Sequence, residues 1–135
     1  MNRRRFLERL ATLIGMPVAP GFARTAPPVS PTAIELQRSP VAGFQYHHGE
    51  RLWSQLAVGT RLELVREADN RHDGRAVRID WHGVKLGYVP RIDNAAVAHL
   101  LDAGERVEAR IVALNESADP WQRVNVSILL QRPAR

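Results

Sequence analysis

The 135-residue sequence predicts a mainly β fold: a small antiparallel barrel, closed or half-closed, around one packing helix. Three observations predict it. From Val41 onward apolar residues recur mostly with period two, the spacing of half-buried strands. Gly, Asn and Asp punctuate these runs into short segments. Only one stretch, "DNAAVAHLLDAG", carries its apolar residues at helical spacing. Six short strands and one helix in about ninety residues fit a barrel plugged by that helix.

The elements follow in chain order. "NRRRFLERLATLIGMPVAPGFARTA" has a basic start, a modestly apolar run broken by Gly15, Pro17 and Pro20, and small residues at its end. That is the order of an export signal. The run is too short and too weak for a transmembrane helix, which takes about 20 apolar residues. Arg3, Arg4, Phe6 and Leu7 resemble the twin-arginine export pattern, with Glu8 where Lys is usual. Residues 1–26 are therefore expected to be a twin-arginine-like signal that sends the chain to the periplasm. The alternative is a cytoplasmic protein with a basic arm. Pro27, Pro28, Pro31 and Pro40 mark residues 27–39 as a Pro-rich linker, which leaves 40–131 for the folded domain.

Within that domain "VAGFQYH" reads as the first strand, and Leu52, Trp53 and Leu56 as a short helical turn before Gly59. "TRLELVRE" sets Leu62 and Leu64 on one face. "AVRIDW" alternates Val77, Ile79 and Trp81 against Arg78 and Asp80. His82-Gly83 is a two-residue turn into "VKLGYVP", which makes a hairpin. "RVEARIVALNE" and "RVNVSILLQ" make a second, with Val107, Ala109, Ile111 and Ala113 facing Val124, Val126 and Ile128. The helix starts at Asp93 or Asn94 as N-cap, stops at Gly104, and carries Val97, Leu100 and Leu101 as its apolar stripe.

Composition narrows the function. The net charge of +5 is concentrated in residues 1–40, which hold six Arg against two Glu; the remainder is nearly neutral. A non-specific duplex binder needs a broad phosphate-neutralising surface, so contact with nucleic acid is expected to be local. The absence of Cys excludes disulfides and thiolate metal sites. The five His (47, 48, 72, 82, 99) show no metal-ligand spacing, and no Gly-x-Ser-x-Gly elbow or phosphate-cradling Gly-rich loop occurs. No enzyme activity, metal or cofactor is expected.

One connection stands out. "READNRHDGRAV" crowds Arg66, Glu67, Asp69, Asn70, His72 and Asp73 around a single Gly, far more polar chemistry than a turn requires. With "GFQYHHGE" before it and "GVKLGYVPR" after it, it resembles the HIRAN domain family. That pattern runs Arg-Glu-x-x-Asn-x-x-Asp-x-x-Ala-Val, followed by Gly-Tyr-Val-Pro-Arg. Arg66, Glu67, Asn70, His72, Asp73, Ala76, Val77 and Gly87 to Arg91 fit it. Ala68, Arg71, Gly74 and Arg75 depart from it, where Pro or Pro-Asn is commoner. The resemblance covers roughly residues 40–130.

The resemblance implies an OB-like barrel that binds the 3′ end of single-stranded DNA, in chains that stand alone or are fused to helicase-like translocases. On this chain it implies Tyr46 as the stacking platform with His47 beside it, and Asp73 as acceptor for a terminal hydroxyl. Asp69, Asn70 and His72 would shape the pocket, and Tyr88 and Arg91 would meet base and phosphate. The implied partners are the DNA end and a helicase or nuclease acting in trans. Plain structural roles stand beside these: Asn70 and Asp73 as turn acceptors, Arg66 in an internal ion pair, Tyr88 as a half-buried strand aromatic, and the three Trp as core or rim. An exported, non-catalytic interaction module with another ligand is the alternative function.

Overall fold

The computed structural model describes residues 32–133. The leader and the first part of the expected linker lie outside the described residues. Six strands form one antiparallel sheet: β1 (Ala33–Pro40), β2 (Arg61–Glu67), β3 (Ala76–Trp81), β4 (Val84–Tyr88), β5 (Val107–Leu114) and β6 (Val124–Gln131). Their order across the sheet is β1-β6-β5-β2-β3-β4. A one-turn helix α1 (Gly49–Leu52) follows β1, and the main helix α2 (Ala95–Asp102) lies between β4 and β5.

The first strand falls earlier than the sequence indicates. Ala33–Pro40, within and at the edge of the stretch expected as linker, pairs with β6 from Ala33↔Gln131 to Pro40↔Asn125. The prolines that signalled a linker flank this strand rather than interrupt it: Pro27, Pro28 and Pro31 precede it, and Pro40 is its last residue. Proline is tolerated there because β1 is an edge strand. "VAGFQYH", expected as the first strand, is not one. Gly43 takes φ +74°, which turns the chain into a single 3₁₀ turn at Phe44–Tyr46. Phe44 thereby drops into the core, fully buried, while Tyr46 is left outside.

The remaining elements follow from their periodicity. In the β3–β4 hairpin His82 and Gly83 adopt φ 47° and 77°, the left-handed pair that a tight hairpin turn requires. β5 and β6 pair from Val107↔Leu130 to Leu114↔Val124, and a bulge between Ile111 and Ala113 brings Leu114, not Ala113, opposite Val124. A second bulge sets Leu86 of β4 as the extra residue opposite the Ile79–Asp80 step of β3. Asp80 is buried rather than facing water, and Trp81 is half-buried at the rim of the core. Helix α2 ends at Gly104, φ +81°, whose N–H bonds the Leu101 carbonyl while the Glu105 N–H reaches Leu100. This is a Schellman closure.

One contiguous core joins the sheet to α2: Phe44, Leu62, Ile79, Leu86, Ile111 and Ile128 are its largest buried side chains, with Val97 and Ala98 contributed by the helix. No ladder joins β1 to β4 among the described residues, so the sheet is six-stranded and open in its pairing. One isolated bridge connects the two margins. Ala42, just past β1, exchanges both backbone hydrogen bonds with Tyr88 of β4, at 2.8 and 2.9 Å. Gly87 permits this approach, since a Cβ there would collide with the Ala42 carbonyl and lie 2.7 Å from Val41 Cγ1. Among the described residues no helix is long and apolar enough to cross a membrane.

Candidate nucleic-acid interface

The polar connection between β2 and β3 is a self-bonded loop. Asn70 organises its first half: Oδ1 accepts the His72 and Asp73 N–H groups (2.8 and 3.1 Å), and Nδ2 donates to Glu67 Oε1 (3.1 Å). Asp73 organises the second half, with Oδ1 accepting the Arg75 N–H at 2.9 Å. Arg66 closes the loop from beneath. Its guanidinium donates to the Gly74 and Ala76 carbonyls (2.6 and 3.1 Å), and its Nε lies 3.1 Å from Asp102 of α2. The excess of polar residues is thereby explained in part: three of them supply the loop's internal framework.

The loop is also tied to α2 and to the hairpin. Asn94, expected as a helix cap, makes no side-chain cap; it is fully buried and donates from Nδ2 to Asp73 Oδ2 at 2.6 Å. Glu67 is the hub on the hairpin side. Its Oε1 accepts the Tyr88 hydroxyl at 2.8 Å, and its Oε2 accepts Arg78 Nη1 at 2.9 Å. Arg78 makes two further bonds to buried Asp80, at 2.8 and 2.9 Å. The Tyr88 ring carries Lys85 Nζ above it, 4.5 Å from the centroid, and meets the His47 ring edge-on at 5.9 Å.

These contacts fix the electrostatics. Burial alone would raise the Glu67 carboxyl, but bonds from Asn70, Tyr88 and Arg78 outweigh it and hold the group below its ordinary range. The Arg75 backbone N–H is the largest influence on Asp73; against a smaller opposing effect of burial, it, Asn94 and the charges of Arg91 and Arg75 keep that carboxylate ionised. His47 is pushed down, first by burial and then by the Lys85 and His48 charges, and favours the neutral ring.

The expected site residues divide into three groups. Tyr88, Asn70 and Asp73 join through Glu67 and the loop backbone into one bonded surface, with His47 against Tyr88 and Arg91 close enough to act on Asp73. Tyr46 adjoins that surface on the 3₁₀ turn, not at the end of a strand, and is 79% exposed. Asp69 and His72 are exposed on the loop and make no side-chain hydrogen bond among the described residues. The sequence reading missed Lys85, the chain's only lysine, and the structural weight of Glu67, Arg78 and Asn94. Glu67 was visible in the loop motif; Asn94 was masked by its position before a helix. Of the Trp residues, Trp53 and Trp81 are half-buried and Trp121 is exposed. No group of three or more His, Cys, Asp or Glu is placed to hold a metal ion among the described residues.

A surface of this kind can do three things: stack a planar ring on Tyr46, accept a hydrogen bond at the remaining lone pairs of Asp73, and attract a phosphate to Arg91 or Lys85. Comparison with known proteins agrees with the fold around it. The HIRAN domain model matches residues 34–132. A solved protein from Lactobacillus plantarum is 28% identical, covering 73% of this chain and 94% of its own, at a TM-score of 0.63. The HIRAN domain of human HLTF is 17% identical, covering 70% of this chain and 73% of its own, at a TM-score of 0.52, a likeness of fold. No curated protein matches the chain.

Proposed function

We propose that this chain, which belongs to the HIRAN domain family, is a DNA-binding module that takes the 3′ end of a single strand. The family is known as a binding module for DNA rather than a catalytic domain. The observation that supports the finer reading is the Ala42–Tyr88 bridge, which ties the chain just before the largely exposed Tyr46 to β4, where the Tyr88 hydroxyl bonds Glu67 at the start of the loop. In this reading the terminal base stacks on Tyr46 and the Asp73 carboxylate accepts the 3′-hydroxyl. His72 and Asp69 border the sugar, and Arg91 and Lys85 face the adjacent phosphate. Asn70 acts through the loop it shapes. Titration with linear and circular single-stranded DNA of one sequence tests it: binding to the linear form alone is expected, and equal binding to the circle overturns end recognition.

The leader carries a separate proposal, export to the periplasm through the twin-arginine route, supported by Arg3, Arg4, Phe6 and Leu7. Fractionation of the tagged full-length chain is the test. A mature form shortened near residue 24 or 27 in the periplasm is expected, and a soluble cytoplasmic protein retaining Met1 overturns it. Confirmed export raises the alternative function, an exported interaction module with a ligand other than chromosomal DNA.

A further inference from the structure

We propose that a second nucleic-acid contact lies at the far end of β2, in an open cleft of about 1020 Å³ where arginines hold backbone phosphates upstream of the 3′ terminus. This rests on the single-strand reading above. Arg61, Arg106, Arg110 and Arg132 line the cleft together with Glu105 and Glu108, an excess of positive charge in a domain that is otherwise nearly neutral.

The four arginines fall into two cross-strand groupings. Arg61 is registered directly opposite Arg110 on the β2–β5 ladder. The Gln131 N–H bonds the Arg106 carbonyl at 2.8 Å, which sets Arg106 beside the end of β6 where Arg132 follows. Like charges facing each other across strands destabilise a sheet unless a counter-charge intervenes. The first grouping has one. Glu108, fixed by Gln131 Nε2 at 2.5 Å, lies 2.5 Å from Arg61 and 3.8 Å from Arg110. In the second, Arg106 and Arg132 are exposed and neither forms an ion pair among the described residues, although Glu105 lines the same cleft. Exposed guanidinium groups on two chain segments lining one cleft suit a phosphate, whose oxygens match the planar fork.

The cleft also stands where a bound strand can reach it. Arg61 and Glu67 have the same parity on β2, so both side chains leave the same face of the sheet. At about 3.3 Å per residue the two ends are about 20 Å apart. Exposed Glu63 lies between them, so the strand is held at two separate points and not along a continuous basic track.

The test is titration of the full chain across a salt series, with a trinucleotide and a dodecanucleotide that share one 3′ sequence and a free 3′-hydroxyl. The expected plot of log affinity against log salt is steeper for the longer strand, by about 0.7 per additional phosphate neutralised. Replacing Arg106→Ala and Arg132→Ala together should abolish that increment and leave trinucleotide affinity and thermal stability unchanged, while Arg106→Lys with Arg132→Lys keeps most of it. Equal slopes for the two wild-type titrations, or an equal loss for both oligonucleotides in the Ala variant, overturns the cleft while leaving the 3′-end reading in place. Failure of the wild type to bind either oligonucleotide overturns that reading and this inference with it.

Discussion

Tyr46 and Tyr88 stand in opposite conditions. Tyr88 is fixed at both ends, by the Ala42 bridge on its backbone and by Glu67 on its hydroxyl, whereas the Tyr46 side chain is 79% exposed. An exposed aromatic contributes little to folding and much to a stacked base. Tyr46→Ala should therefore weaken single-strand binding by about 1–3 kcal/mol and leave the thermal midpoint nearly unmoved, which paired titration and melting curves would check. Glu67 makes the converse prediction. Its folded-state pKa is depressed, so its stabilisation is present above the unfolded carboxyl value and is lost as pH falls through the folded value. Asp73 acts in the same direction and the same acid window. His47, also depressed, penalises charging, so its contribution is lost as pH falls from about 6.5. Glu67→Gln should lower stability at neutral pH and flatten the acid limb of a stability-against-pH curve; an unchanged acid limb would remove Glu67 from the network. These roles were half legible beforehand. The motif marked the loop, but residue type alone could not separate Asn70, spent on backbone N–H groups, from Asp73, which retains free lone pairs.

At the scale of elements, the site depends on a crossing that the periodicity concealed. Val41, Phe44 and Tyr46 have the composition of a strand, yet left-handed Gly43 turns them into a bridge and a 3₁₀ turn. Strand β1 was hidden for the opposite reason, since prolines on both sides made an ordinary edge strand look like linker. Strands β2 to β6 and helix α2 were readable because alternation and Gly punctuation agreed with tertiary packing. Bulges, which answer to the partner strand, were not. Gly87 tests the crossing. Gly87→Ala forces a methyl against the Ala42 carbonyl and Val41, and should cost about 1–3 kcal/mol while weakening oligonucleotide binding through the displaced Tyr46 turn. A variant with wild-type stability and affinity would show that the bridge does not position the site.

For the whole molecule, charge and architecture point the same way. A nearly neutral domain with a few well-placed cations suits a ligand held at a terminus and one further point, not a long polyanion gripped along its length. The central claim is that this terminus is a free 3′-hydroxyl received by Asp73. Its most direct measurement is titration of wild type and Asp73→Ala with labelled oligonucleotides ending in either a 3′-hydroxyl or a 3′-phosphate. The account predicts tighter wild-type binding to the hydroxyl end and no preference in the variant. Equal wild-type affinity for the two ends would contradict it.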